Sequence, residues 1–375
     1  MRTFFSLAQF RATSRRRSTP RRVVALIPAH DEEACVGETI ASAIGQVDRV
    51  VVAADNCTDG TVGAARRAGA EVFETVGNVG YRAGALNQAL AYVTPGLDDD
   101  DLILALDADT LIDPRLVSNA VMHFERDDGL GAVGANHLAR RSHTILELLQ
   151  LMEFERDRRY TGRKRGRVGS MSGMASIFSV QALRAVAAIH GTAYDENNWT
   201  EDWKLTYSLK HAGFRCLRPQ DCISRTIPVT RWRMLFRQRE RWARGYFQTL
   251  NEFGLTRITA WPWFGQLWGL FNIAVWLMWL VLVVHASATY GVQFPPWALV
   301  AGVILVTERT VAVRRAGWRA VLVSVTFVIE MAYGWWLAAA TLTGIAKHVL
   351  RIRGQWVPVK TQKEEDPWHT EKLAA

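Results

Sequence analysis

Asp101-Leu102-Ile103-Leu104-Ala105-Leu106-Asp107-Ala108-Asp109-Thr110 decides how the rest of this sequence is read. Its five consecutive apolar residues, Leu102 to Leu106, show no helical period and predict a short strand buried in a parallel sheet. The strand runs into two carboxylates, Asp107 and Asp109, one residue apart. In an extended chain residues i and i+2 point the same way, so both acids are expected to face one spot beyond the strand's carboxyl end. Open α/β sheets bind their ligands there. Two neighbouring acids repel, and a hard divalent cation relieves the repulsion. A solvated acidic turn is the plainer reading, and the spacing alone leaves both open.

Upstream, the same pattern recurs. Val23-Val24-Ala25-Leu26-Ile27 reads as a buried strand broken by Pro28, with Asp31 in the loop that follows. Val50 to Ala53 is a second strand ending at Asp55, and residues 71–75 form a short third one. Between that strand and the quoted one lies a glycine-containing loop, 77–87, whose glycines could let backbone approach a ligand. A helix is expected from about Ala83 to Val93. Strand alternating with helix predicts an α/β, doubly wound parallel sheet. The loop fits neither the P-loop nor the dinucleotide fingerprint.

Downstream, Leu146, Leu148, Leu149, Leu151, Met152 and Phe154 lay an apolar stripe on a charged helix within 140–167. A small-residue turn, 169–174, precedes another strand. Thr200 is placed to cap a helix that runs through Leu205 and Leu209 to Gly213. For Glu201 and Asp202 the plain expectation is charge complementarity with that helix's positive end. Residues 231–250 read as a basic amphipathic helix lying in a membrane interface.

The 375 residues carry a net charge of +9, much of it in 11–22, 156–167 and 231–244. Beside membrane spans such basic stretches suit anionic lipid better than nucleic acid. Phe264 to about His285 is long enough to span a bilayer. Residues 297–306 span only if extended, and 321–345 is long enough but holds Glu330, an acid expected to be functional or hydrogen-bonded. The 286–296 loop has no Lys or Arg while 314–319 has three Arg, which predicts a cytoplasmic catalytic side. Three full spans would put Lys347, Arg351 and Arg353 outside, against that rule, so the middle segment or the tail departs from it. No secretory signal is read in the opening residues. The four cysteines, Cys35, Cys57, Cys216 and Cys222, lack metal-site spacing and are expected as reduced thiols. The expected organisation is a basic interfacial or disordered arm (1–22), a catalytic domain (23–230), amphipathic helices (231–260), a transmembrane region of two or three helices (261–350) and a polar tail (351–375).

Taken in order, Asp55, Asp107-Ala108-Asp109, Thr200-Glu201-Asp202 and Gln238-x-x-Arg241-Trp242, followed by apolar spans, resemble the processive family 2 inverting glycosyltransferases. Cellulose, chitin, hyaluronan and poly-N-acetylglucosamine synthases are of that kind. Ile27-Pro28-Ala29-His30-Asp31-Glu32-Glu33 and Arg82-Ala83-Gly84-Ala85-Leu86-Asn87 resemble the family's first nucleotide loop and its Lys-Ala-Gly-Ala-Leu-Asn segment. The resemblance covers about residues 23–250. It implies a GT-A, Rossmann-like fold and a nucleotide sugar, a UDP-hexose or UDP-N-acetylhexosamine. Pro28, His30, Glu32, Asp55, Arg82, Asn87 and Asp107 would contact that donor, with Gln238 and Arg241 on its pyrophosphate. Mg2+ or Mn2+ would sit on Asp107 and Asp109. Asp202 would be the general base, with Glu201 beside it in the catalytic set. Ser172, Gly173 and Trp242 would face the acceptor, the small residues leaving room for sugar and the indole stacking on it.

Arg82 departs from the family's Lys, which keeps the charge and changes its geometry. The motif around Arg241 argues for polymer extension, whereas few spans argue against a complete export channel. The implied partners are a nucleotide sugar, a glycan, lipid-linked or other acceptor, membrane lipids, and a second copy or an accessory export protein, with no nucleic acid. The expected location is the cell membrane, multi-pass, with the catalytic domain in the cytoplasm. Single sugar transfer and a membrane-anchored polyanion-binding protein are the competing expectations.

Overall fold

The structure is a computed structural model and describes residues 20–140, 142–291 and 296–352. Most of the arm expected over 1–22 and nearly all of the tail expected over 351–375 lie outside the described residues. In chain order the elements open with β1 (Val23–Ala29), α1 (Val36–Ala43), β2 (Arg49–Ala54), α2 (Thr61–Arg67), β3 (Glu71–Glu74) and α3 (Tyr81–Val93). There follow β4 (Leu102–Leu106), β5 (Leu111–Ile112), α4 (Leu116–Arg126), β6 (Leu130–Gly134), β7 (Asn136–Ala139) and α5 (Ile145–Arg163). Next come β8 (Ala175–Ser179), α6 (Val180–His190), α7 (Glu201–His211), β9 (Arg215–Leu217) and β10 (Ile223–Thr226). The chain closes with α8 (Trp232–Phe253), α9 (Ala260–Tyr290), α10 (Pro296–Val313), α11 (Trp318–Thr326) and α12 (Val328–Val349).

The chain forms two compact units, one of residues 20–138 and 161–227, the other of 139–160 and 228–352 among those described. Segment 139–160 therefore groups with the second unit, inside the span expected to be wholly catalytic domain.

In the first unit a seven-stranded sheet runs in the order β3-β2-β1-β4-β8-β6-β9. Strands β3, β2, β1 and β4 are parallel, as expected. Beyond β4 the sheet is mixed, because β8 lies antiparallel to both β4 and β6. A three-stranded sheet, β5-β10-β7, accompanies it. Side chains alternate to two cores. Leu102, Leu104 and Leu106 join α1, α2 and α4 on one face, while Ile103 and Ala105 join α3, α6 and α7 on the other. All five residues of β4 are buried, which is why its sequence is continuously apolar.

Pro28 does not break β1. The Ala29 carbonyl accepts from the Asp55 N–H toward β2, so the missing donor of Pro28 points toward β4, where pairing has already ended at Leu26.

In the second unit Leu146, Leu148, Leu149 and Met152 of α5 pack with Leu235 of α8, Val313, Val323 and Tyr333. The aromatic side of α8 is covered by α12: Trp232 and Phe236 each lie 5.3 Å from the Trp336 ring. The apolar stretch 321–345 is not one helix. It breaks at Phe327, whose φ is +57°, and α11 and α12 meet at a bend of 81°. Glu330 is hydrogen-bonded, as one of its two expected states: Arg156 lies at 2.6 Å, Arg309 at 2.7 Å, and the Ser324 hydroxyl also donates to it. Among the described residues α9 alone is by itself long and apolar enough to cross a membrane, and none of its residues is buried.

Candidate active site

The sheet's carboxyl edge supplies the first side chains. After β4 the chain does not stay extended. The Thr110 N–H donates to the Asp107 carbonyl at 3.0 Å, closing a tight turn over 107–110. The alternation argument for the two acids therefore does not apply, and it is the turn that displays both, each partly exposed. The buried Thr39 hydroxyl of α1 fixes the turn by donating to the Ala108 carbonyl at 2.7 Å, and the Asp107 N–H donates to the Met174 carbonyl. Asp107 accepts from Arg82 Nε at 2.8 Å, while Asp109 accepts from the Thr110 hydroxyl.

Arg82 stands in the first turn of α3. It also donates to Glu201 Oε1 at 2.9 Å and to the Gly173 carbonyl at 2.6 Å. Burial by itself would lower the Arg82 pKa, but Asp107 and Glu201 raise it, so the guanidinium stays charged. Glycine at 173 has a packing reason: a Cβ there would stand 3.1–3.2 Å from that guanidinium. The space kept by this glycine is thus filled by Arg82. Ser172 lies in the same turn, its hydroxyl accepting from the Met174 N–H.

Glu201 and Asp202 open α7, and their roles exceed helix-end complementarity. Asp202 accepts from the Gly173 N–H at 2.8 Å and from the Trp203 N–H at 2.8 Å. Burial first, then the Glu201 charge, push its pKa up to about 6, against the pull of Arg82 and the two N–H donors. Thr200 holds the N-cap position, yet its side chain makes no capping bond; its hydroxyl donates to Asn198 Oδ1 at 3.3 Å. Sequence reasoning missed Tyr194, a buried phenol electrostatically coupled to Arg82, Glu201, Asp202 and Asp107. Its pKa rises mainly through burial. No spacing rule marks a lone tyrosine in a loop.

Residues expected to contact the nucleotide lie around the ends of β1 and β2. Asp55 is buried and accepts from the Thr75 hydroxyl at 2.8 Å and Asn56 Nδ2 at 3.0 Å. His30 Nδ1 lies 2.6 Å from the Asp55 carbonyl, which can only accept, so that nitrogen carries the proton. Glu32 takes the Cys35 thiol at 2.9 Å, and its N–H donates to the Thr61 hydroxyl. Pro28 lies within β1 itself. Asn87 clasps the Tyr194 backbone in both directions, at 2.9 and 3.0 Å, so it secures the loop that carries Tyr194. Gly84 is needed because a Cβ there would collide with Asn78 Oδ1; the glycine serves internal packing.

Among the described residues one trio of possible metal-binding atoms lies within 4.8 Å: Asp31, Cys57 and Asp59. Asp31 accepts from the Thr58 and Asp59 N–H groups, and burial raises the Cys57 pKa, keeping it a thiol. That chemistry closes a loop. Gln238, Arg241 and Trp242 are half-buried on α8 of the second unit. There the Arg239 guanidinium covers one face of the Trp242 indole at 4.3 Å.

A family model described as glycosyltransferase like family 2 matches residues 20–245. The chain is 28% identical over 170 residues to the poly-beta-1,6-N-acetyl-D-glucosamine synthase of Staphylococcus aureus, covering 45% of this chain and 39% of that relative. The enzyme of the same name from Staphylococcus epidermidis is 28% identical over 179 residues, with the same shares covered. The match thus spans about two fifths of these relatives' length. Among solved structures, a mannosyltransferase from Pyrobaculum calidifontis in complex with GDP-Man and Mn2+ superposes with a TM-score of 0.55 at 19% identity, over 90% of this chain and 89% of that one. That likeness shows a shared fold. Because the family model runs from ahead of β1 into the arginine-rich helix α8, more than half of the chain, this protein belongs to the family 2 glycosyltransferases and is a glycosyltransferase of GT-A fold.

Proposed function

We propose that the protein is a membrane-bound, metal-dependent inverting glycosyltransferase that uses a nucleotide sugar to extend a polysaccharide. The observation that carries this reading is the cluster of Asp107, Arg82, Gly173 and Asp202, in which two carboxylates are tied through one guanidinium and the backbone of one glycine. Asp107 and Asp109 suit a hard divalent cation. They supply two partly exposed carboxylates from one hydrogen-bonded turn, an all-oxygen set. Mg2+ or Mn2+ bound there would offset the negative charge that grows on the departing diphosphate. Asp202, with its raised pKa, is a base strong enough to take the acceptor's proton and still ionised at neutral pH. The acceptor oxygen forms its bond to the anomeric carbon as the sugar–phosphate bond breaks, and the nucleoside diphosphate leaves with the electron pair. Attack from the opposite face inverts the anomeric centre.

In the first unit the reading assigns Asp55, with Pro28, His30 and Glu32, to the nucleoside end of the donor; by their motif alone it assigns Gln238 and Arg241 to the pyrophosphate. It assigns Ser172 and Trp242 to the acceptor. The names of the Staphylococcus relatives favour an N-acetylglucosamine unit as the sugar transferred. The exposed apolar length of α9 supports residence in a membrane. Single sugar transfer to a lipid or protein acceptor is the second reading. Single transfer needs no export channel, and among the described residues one helix, or two if the bent α11–α12 pair counts, is long and apolar enough to span. An export partner or a second copy would reconcile this with polymer export. The test is to incubate the membrane-extracted protein with UDP-, GDP- and dTDP-sugars and Mn2+ or Mg2+, reading nucleotide release and product size together. Long products support extension, mono-adducts alone support single transfer, and no release from any donor defeats both.

A further inference from the structure

One guanidinium draws three segments of the first unit together. Arg82 reaches Asp107 after β4, Gly173 before β8, and Glu201 at the start of α7, at 2.8, 2.6 and 2.9 Å. The line continues, since Gly173 accepts from Arg82 through its carbonyl oxygen and donates its own N–H to Asp202 at 2.8 Å. Asp107, assigned above to the donor's diphosphate, and Asp202, assigned to the acceptor hydroxyl, are therefore joined by polar contacts through a single side chain. That side chain is itself four-fifths buried, with 21% of its surface exposed, so its position is set by these partners.

We propose that Arg82 is a positioning residue that fixes Asp202 relative to Asp107, and thereby decides whether the activated sugar passes to the acceptor hydroxyl or to water. The proposal rests on the glycosyl-transfer reading above. A planar guanidinium presents five N–H donors as a rigid fork and can serve three carbonyl or carboxylate partners lying around its plane. A lysine ammonium carries the same charge as a point with three tetrahedral donors, and cannot keep all three contacts at these distances. An arginine at this place is thus matched to a task of geometry.

The experiment compares wild type with Arg82→Lys and Gly173→Ala in the full chain extracted from membranes. The second variant keeps the arginine and pushes on its guanidinium. Three quantities are read: UDP affinity with Mn2+ by calorimetry, nucleotide release with acceptor, and release into water without it. We expect Arg82→Lys to bind UDP within about threefold of wild type. Its kcat for transfer should fall by about tenfold to a hundredfold, with donor KM little changed. Hydrolysis should fall less, so the ratio of hydrolysis to transfer rises, and Gly173→Ala should move that ratio in the same direction. An unchanged ratio in both variants overturns the proposal, as does UDP affinity falling in parallel with transfer, which would make Arg82 a nucleotide ligand. If wild-type protein releases no nucleotide from any donor, the glycosyl-transfer reading itself fails, and the Arg82 proposal falls with it.

Discussion

Two strings of apolar residues, β4 and α9, meet opposite fates in this chain. In β4 every side chain is buried between two layers of helices. In α9 a run of Leu, Val, Trp and Phe leaves no residue buried. The first unit closes its apolar surface with its own helices, whereas the second leaves a 31-residue helix open. Water selects the first arrangement, since roughly 25 cal/mol favours each Å2 of apolar surface removed from it. The exposed helix is what a lipid environment would cover. Chemistry divides in the same way. The carboxylates with assigned roles lie in the first unit, held by side chains with few alternatives, while the second unit uses its ionic groups to pin helices, as at Glu330.

The comparison can be broken at several points. The largest expected effect belongs to the first unit: Asp202→Asn removes the proposed base and should lower transfer by about 10^2- to 10^4-fold while leaving UDP binding nearly intact. Near-normal turnover in that variant would move the base elsewhere. Chelation with EDTA, or Asp107→Asn, should cost both donor affinity and turnover, and activity that persists after chelation would release Asp107 and Asp109 from the metal role. Next, Leu104→Ala in β4 opens a cavity and should lower unfolding free energy by about 2–5 kcal/mol, whereas Leu277→Ala on exposed α9 should change it by about 0.5 kcal/mol or less in detergent. Equal costs in denaturant titrations would abolish the contrast between the units. The last effect is the most specific. Because burial holds the pKa of Asp202 near 6, the base form is lost as pH falls through that value, and kcat should drop about tenfold per unit below it. An ordinary carboxylate would hold activity to about pH 4, so a profile flat down to pH 5 would refute the burial effect.

Much of this was legible in the sequence. The five apolar residues of β4 announced a strand buried on both faces, and each acid that follows a parallel strand lies near the sheet's carboxyl edge. Other features were not legible, for definite reasons. Hydrophobic runs report burial but not direction, so β8, antiparallel in the middle of the sheet, read like any other strand. An apolar stretch long enough to span, 321–345, gave no sign that Phe327 would turn the chain through 81°. Local spacing placed Asp107 and Asp109 side by side on an extended strand, where a backbone hydrogen bond instead folds a turn.

The sequence by itself determined the family, the parallel half of the sheet, the order of the acidic residues and the length of α9, because these follow from local periodicity and from motifs of a few residues. Only the tertiary structure decided what those residues do to each other. The partners of Arg82 lie 25, 91 and 119 positions away along the chain, and the shift at Asp202 comes from burial and from a charge network. Desolvation and hydrogen-bond geometry depend on what surrounds a group in space, and no window of sequence contains that.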